Sequence, residues 1–69
     1  MTNSEKVKEV INSLDINSLQ TTLESTLKNQ NFDFETKTTW VGNKGTVYVE
    51  ETPTNSSVAT MNVIEFELN

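Results

Sequence analysis

The apolar positions of this chain change period once, near residue 32. Before that point they recur at helical spacing, and after it they alternate. Val7, Val10, Ile11 and Leu14 stand at i, i+3, i+4 and i+7, the stripe of an amphipathic helix. Thr2 with Glu5 three residues later offers a capping box at its start. Ile16, Leu19, Leu23 and Leu27 form a second stripe at helical spacing. At about 100° per residue the two stripes point nearly opposite ways, so one straight helix would show apolar rows on both sides. A break near Asp15-Ile16-Asn17 resolves the conflict. Asp15, Asn17 and Ser18 all suit an N-cap, and Asn17 with Gln20 makes an Asx-type capping box. The pattern predicts two helices, over about 4–14 and 18–29, the second ended by Asn29-Gln30-Asn31. One longer helix buried between two partners is the alternative.

From Phe32 the period is two. Phe32, Phe34, Thr36, Thr38 and Trp40 alternate with Asp33, Glu35, Lys37 and Thr39, a half-buried strand. Gly42-Asn43-Lys44-Gly45 is a turn signal, and Thr46 to Glu51 is a second strand rich in β-formers. A four-residue loop ending on a left-handed Gly45 pairs Val41 with Thr46. It sets Trp40 against Val47 and Thr38 against Val49 on one face, and Lys37 against Glu50 on the other. Residues 52–57, which include Pro53, form a loop. Val58 to Leu68 is the last strand-like segment, with mixed parity: Ala59, Met61 and Val63 fit one face, and Ile64, Phe66 and Leu68 the other. Either a bulge near Val63-Ile64 reconciles them, or the loop runs on to about residue 60.

The expected fold is α+β: two short N-terminal helices packed on a three-stranded antiparallel β-meander, ααβββ, or αβββ if the helices merge. Residues 1–69 form a single domain, helical over about 4–29 and sheet over about 32–68. Both sheet edges are then open unless a partner covers them.

Composition narrows the chemistry. The chain has 69 residues, with ten acids against five Lys, no Arg, no His, no Cys and a net charge of −5. Without Cys there is no disulfide, thiolate zinc site or thiol catalysis. Without His the usual general base and commonest metal ligand are missing. No calcium-loop pattern is present, so neither a metal nor a cofactor is expected. The longest apolar run is three residues, Val47 to Val49, so no membrane span is expected. The start, Met1-Thr2-Asn3-Ser4-Glu5, lacks the basic and apolar regions of a secretory signal, and a cytoplasmic location is expected. Chains this small commonly add a disulfide, a metal or a partner chain. With the first two disfavoured, a homo-oligomer or a complex is expected.

The acids are the remaining candidates. Parity gathers Asp33, Glu35, Glu50, Glu65 and Glu67 on the solvent face of the sheet, with Lys37 as the lone cation and Tyr48 as an exposed anchor. Phe34 and Trp40 fall on the core face. Such a face steers association with a basic groove or simply keeps a small domain soluble. No cleft is expected for paired carboxylates, so no catalytic residue is assigned and no enzyme is expected. Five Lys and no Arg give no electrostatic basis for direct nucleic-acid binding. The stripe Val7, Val10, Ile11 and Leu14 belongs either to the core or to the face of a second copy.

No family motif occurs. Asn, Ser and Thr make up 26 of the 69 residues. In size, acidity and its Arg-free, Asn/Thr-rich composition the chain resembles small proteins of phages and mobile elements from AT-rich hosts. That resemblance implies an anti-defence or inhibitor role, in which the protein occludes a basic nucleic-acid-binding groove of a host enzyme. The expected function is a non-enzymatic, acidic protein–protein interaction protein, with a nucleic-acid-handling enzyme as its sharpest partner. The alternative is a small structural or assembly subunit acting as a homo-oligomer.

Overall fold

The helical half follows its spacing. In a computed structural model, which describes residues 2–68, helix α1 spans Asn3–Ser13 and helix α2 spans Leu19–Asn29. The Thr2 hydroxyl accepts the Glu5 N–H at 3.2 Å, and Glu5 Oε1 accepts the Thr2 N–H at 2.8 Å. This is the expected reciprocal capping box. Helix α2 begins differently from expectation. Ser18 is its N-cap and makes no side-chain cap bond. Its carbonyl instead takes the Thr22 N–H at 3.0 Å and the Thr21 and Thr22 hydroxyls at 2.9 Å each. The Asn17–Gln20 box does not form, because Gln20 Nε2 reaches across to the Gly42 carbonyl at 2.8 Å. Asn31, at φ 55°, takes the left-handed conformation that ends a helix.

The break between the helices turns both stripes toward one core. Val7, Leu19, Leu23 and Leu27 are buried with Val47 and Val49, and Val10, Ile11 and Leu14 pack against them. Ile16, expected in the second stripe, is 58% exposed. It lies in the connector before α2 begins, so helical spacing does not carry it inward.

Three strands follow: β1 (Thr36–Val41), β2 (Lys44–Glu51) and β3 (Thr60–Glu67), in the order β1-β2-β3 with both pairs antiparallel. The fold is ααβββ. Strand β1 starts later than expected. Phe32 and Phe34 lie ahead of it, stacked at 4.5 Å between ring centroids and packed against the core. Their alternation therefore reflects burial of two rings rather than a ladder.

The hairpin register differs from expectation by two residues. Val41 pairs with Lys44, Trp40 with Gly45, Thr38 with Val47, and Lys37 with Tyr48 rather than Glu50. The loop is only Gly42-Asn43, with Gly42 at φ 59° in the first loop position, where two-residue hairpins favour glycine. Gly45 is thereby a strand residue and not a turn residue. The rings of Trp40 and Phe66 meet edge-to-face above it, 5.4 Å apart. A Cβ on Gly45 would stand 2.7 Å from Phe66 and 2.8 Å from Trp40, so only glycine lets the two rings close. A slip of two preserves the faces: Thr36, Thr38 and Trp40 still point toward the helices.

Strand β3 carries no bulge. Its register with β2 runs unbroken from Lys44↔Glu67 to Glu51↔Thr60, and the preceding loop extends to residue 59. Ile64 and Phe66 turn inward, and the mixed parity is resolved by leaving Met61 and Val63 outside. Glu51, on the helix side, ties the sheet to α1. Its carboxylate accepts the Asn3 N–H at 2.9 Å, the Ser4 N–H at 3.4 Å and Asn62 Nδ2 at 3.3 Å. A carboxylate there complements the positive end of the helix.

Candidate functional site

Both helices pack on one side of the sheet, which leaves the opposite face uncovered. Strand β2 alternates across the sheet: Val47 and Val49 are fully buried, while Thr46, Tyr48 and Glu50 point to the uncovered side and are half-buried. The register places each neighbour. Tyr48 lies between Lys37 and Val63, Thr46 between Thr39 and Glu65, and Lys44 between Val41 and Glu67. Glu50 lies beside Met61, and its N–H donates to the Glu35 carbonyl at 2.9 Å. The Glu35 N–H returns a bond to Glu50 Oε1 at 3.0 Å, so the pairing pattern runs one step beyond β1.

The face has an apolar strip along its β3 edge and acids toward its two ends. Met61 and Val63 on β3 are 52% and 53% exposed, and Val41 at the hairpin end of β1 is 80% exposed. Tyr48 stands between Val63 and Lys37. Glu35 and Glu50 stand at one end, with Glu65 and Glu67 diagonally across at the other. Asp33 lies off the strand but lines the same shallow hollow of about 370 Å³ as Phe34, Glu35 and Glu50. The structure thus brings Glu35, Tyr48, Glu50, Glu65 and Glu67 onto one face and leaves Asp33 at its margin.

Three points differ from expectation. Lys37 is not the only cation, because Lys44 joins the face with its Nζ 3.8 Å from Glu65 Oε2. Both side chains of that pair are more than half exposed, so it contributes little to stability. Tyr48 is half-buried rather than exposed. The third point is the apolar strip of Met61 and Val63 along β3, for which parity is the one signal in the sequence. Of the α1 stripe, Val7 is fully enclosed, and Val10, Ile11 and Leu14 are half-buried against the chain's own core.

Elsewhere the chemistry is sparse. Among the described residues no polar or charged side chain is fully buried, and no three acids gather as a metal's ligand set. Glu5 is held below the ordinary carboxylate range, chiefly by the Thr2 backbone N–H, which is a capping effect. Among the described residues no helix is long and apolar enough to cross a membrane. What the uncovered face can do is lose water from Tyr48, Met61 and Val63 while the carboxylates toward its ends engage cations.

No protein-family model matches the chain, and no curated protein or solved structure matches it either.

Proposed function

We propose that this chain is a non-enzymatic interaction protein that docks its uncovered sheet face onto a basic surface of another protein. The observation that supports this is the composition of that face. Met61 and Val63, each about half exposed, lie along β3 beside Glu50 and Tyr48, with Glu35 and Glu50 at one end of the face and Glu65 and Glu67 toward the other. Apolar contact supplies binding energy, and the carboxylates select a cationic partner and speed encounter. A groove that handles nucleic acid is the sharpest case of such a partner, because it is basic by necessity. In that case the chain acts as an inhibitor by occlusion.

The test is capture of proteins from cell lysate by the tagged chain and by the variant Glu65→Lys with Glu67→Lys, at low and high salt. A basic protein retained by the wild type, released by salt and lost by the folded variant is the expected result. Equal capture by both chains at both salts would overturn the assignment of this face.

A further inference from the structure

Strand β3 lies at one edge of the sheet, and half of it is bare. Thr60, Met61, Asn62 and Val63 are exposed one after another, although these residues alternate between the two faces. Asn62 Nδ2 donates to Ser4 Oγ of α1 at 3.4 Å and to Glu51 at 3.3 Å, yet all four residues stay exposed, and the neighbour β2 touches the half-strand on one side only. Antiparallel ladders alternate their hydrogen-bonded pairs. The Glu50 N–H goes to Glu35 and the Leu68 N–H goes to Asn43, at 2.9 Å each. By that alternation β2 serves β1 with its even residues and β3 with its odd ones. In β3 the even residues bond inward, so Met61, Val63, Glu65 and Glu67 turn their N–H and C=O groups outward. Edge strands are commonly guarded by proline, lysine or a bulge. Residues 60–64 contain none of these, and the only charges on the strand, Glu65 and Glu67, guard its other half.

We propose that residues 60–64 of β3 pair antiparallel with the same residues of a second copy about a two-fold axis at Asn62, joining two sheets into one of six strands. The side chains select this register. Outward-turned residues must meet outward-turned residues, which permits axes at Met61, Asn62, Val63 or Ile64. An axis at Val63 sets Met61 opposite Glu65 of the other copy. An axis at Ile64 sets Val63 opposite Glu65 and Met61 opposite Glu67. An axis at Met61 pairs Val63 with Ala59, outside the strand. Only the axis at Asn62 sets Met61 against Val63 twice and keeps the strand paired over five residues. Asn62 then meets its own counterpart on the helix side. On the uncovered face the row Tyr48–Val63 continues into Met61 of the second copy, so the two apolar edge strips become continuous across the axis. The edge used here is distinct from the face in the proposed function, and the dimer leaves that face accessible.

Sedimentation equilibrium of the full chain tests the proposal, with Met61→Lys alone, Val63→Glu alone, and both together. The wild type is expected to approach twice its 7.8 kDa monomer mass as concentration rises. Added salt is expected to strengthen the association, because each copy carries a charge of −5. Each single variant, checked as folded by circular dichroism, is expected to stay monomeric. The double variant is expected to regain the dimer, since the axis at Asn62 sets a new cation against a new carboxylate twice. A wild type monomeric at millimolar concentration would overturn the dimer, and a double variant no better than the singles would overturn the register. Salt separates the two proposals: docking on a basic partner weakens with salt, while this pairing strengthens. A monomeric chain that still captures its partner overturns the pairing alone; a dimer that captures nothing overturns the docking alone.

Discussion

The two faces of the sheet are built from the same strands and differ in what they can tolerate. On the helix side Val47 and Val49 are fully enclosed with Leu23, Leu27 and Val7. One residue along, Tyr48 and Glu50 point the other way, toward Val63 and Met61, which are about half exposed. Adjacent residues of β2 therefore serve different ends: one set holds the helices and the other meets solvent or a partner. The single apolar core must lie on one side, because two helices of 11 residues each cover only one face. A chain of this size has a total stability of roughly 0.05–0.15 kcal/mol per residue, so it can lose very little on the covered side. The uncovered side is free to be shaped for contact.

The sharpest way to test the contrast is to place the same charge on each face. Val47→Asp puts a carboxylate in a fully enclosed site without a partner, and the chain is expected to lose its folded circular dichroism signal altogether. Val63→Asp, on the open face, is expected to shift stability by no more than about 0.5 kcal/mol in chemical denaturation. Within the core, Leu23→Ala is expected to cost about 2–5 kcal/mol, a large part of the chain's total stability, seen as a much lower denaturation midpoint. Gly45→Ala is expected to cost about 1–3 kcal/mol, seen as a lower denaturation midpoint, because its methyl group forces Trp40 and Phe66 apart. Glu51→Ala removes the carboxylate that accepts the first N–H groups of α1 and is expected to cost about 0.5–2 kcal/mol.

The smallest effect is that of acid on the α1 capping box. Glu5 has a folded-state pKa below its ordinary value. Its stabilising contribution is therefore present above the unfolded-state pKa and is lost as pH falls through the lowered value. Glu5→Gln removes this titrating carboxylate, so its denaturation midpoint is expected to fall less than that of the wild type between neutral and acid pH. An equal fall in both chains would contradict the box as the source.

Much of this was legible because period reports burial. The opposed stripes of Val7–Leu14 and Leu19–Leu27 required a break, and the break is there. The alternation of β1 and β2 gave the right faces even with the wrong register, since a slip of two leaves parity unchanged. What failed did so for local reasons. Gly45 was legible only as a turn residue, because nothing in a linear pattern shows two rings closing over a strand glycine. Gln20 looked like a cap, but its partner is the Gly42 carbonyl, 22 residues away in the chain. Nothing in the linear pattern shows that Glu51 caps a helix 47 residues earlier. The acids toward the ends of the face are visible as charge at alternate positions. The apolar strip along β3 is not, because mixed parity leaves two readings, a bulge near Val63-Ile64 or a loop running on to about residue 60, and neither shows Met61 and Val63 exposed.

The central claim is that the covered face holds the fold and the uncovered face makes the contact. It is tested most directly by a nuclear magnetic resonance titration of methyl-labelled chain, held at constant concentration, with a captured basic partner. Signals of Met61, Val63 and Val41 are expected to shift as partner is added, while those of Val47, Val49 and Leu23 stay in place. Shifts confined to the helices, with Met61 and Val63 unmoved, would contradict the claim.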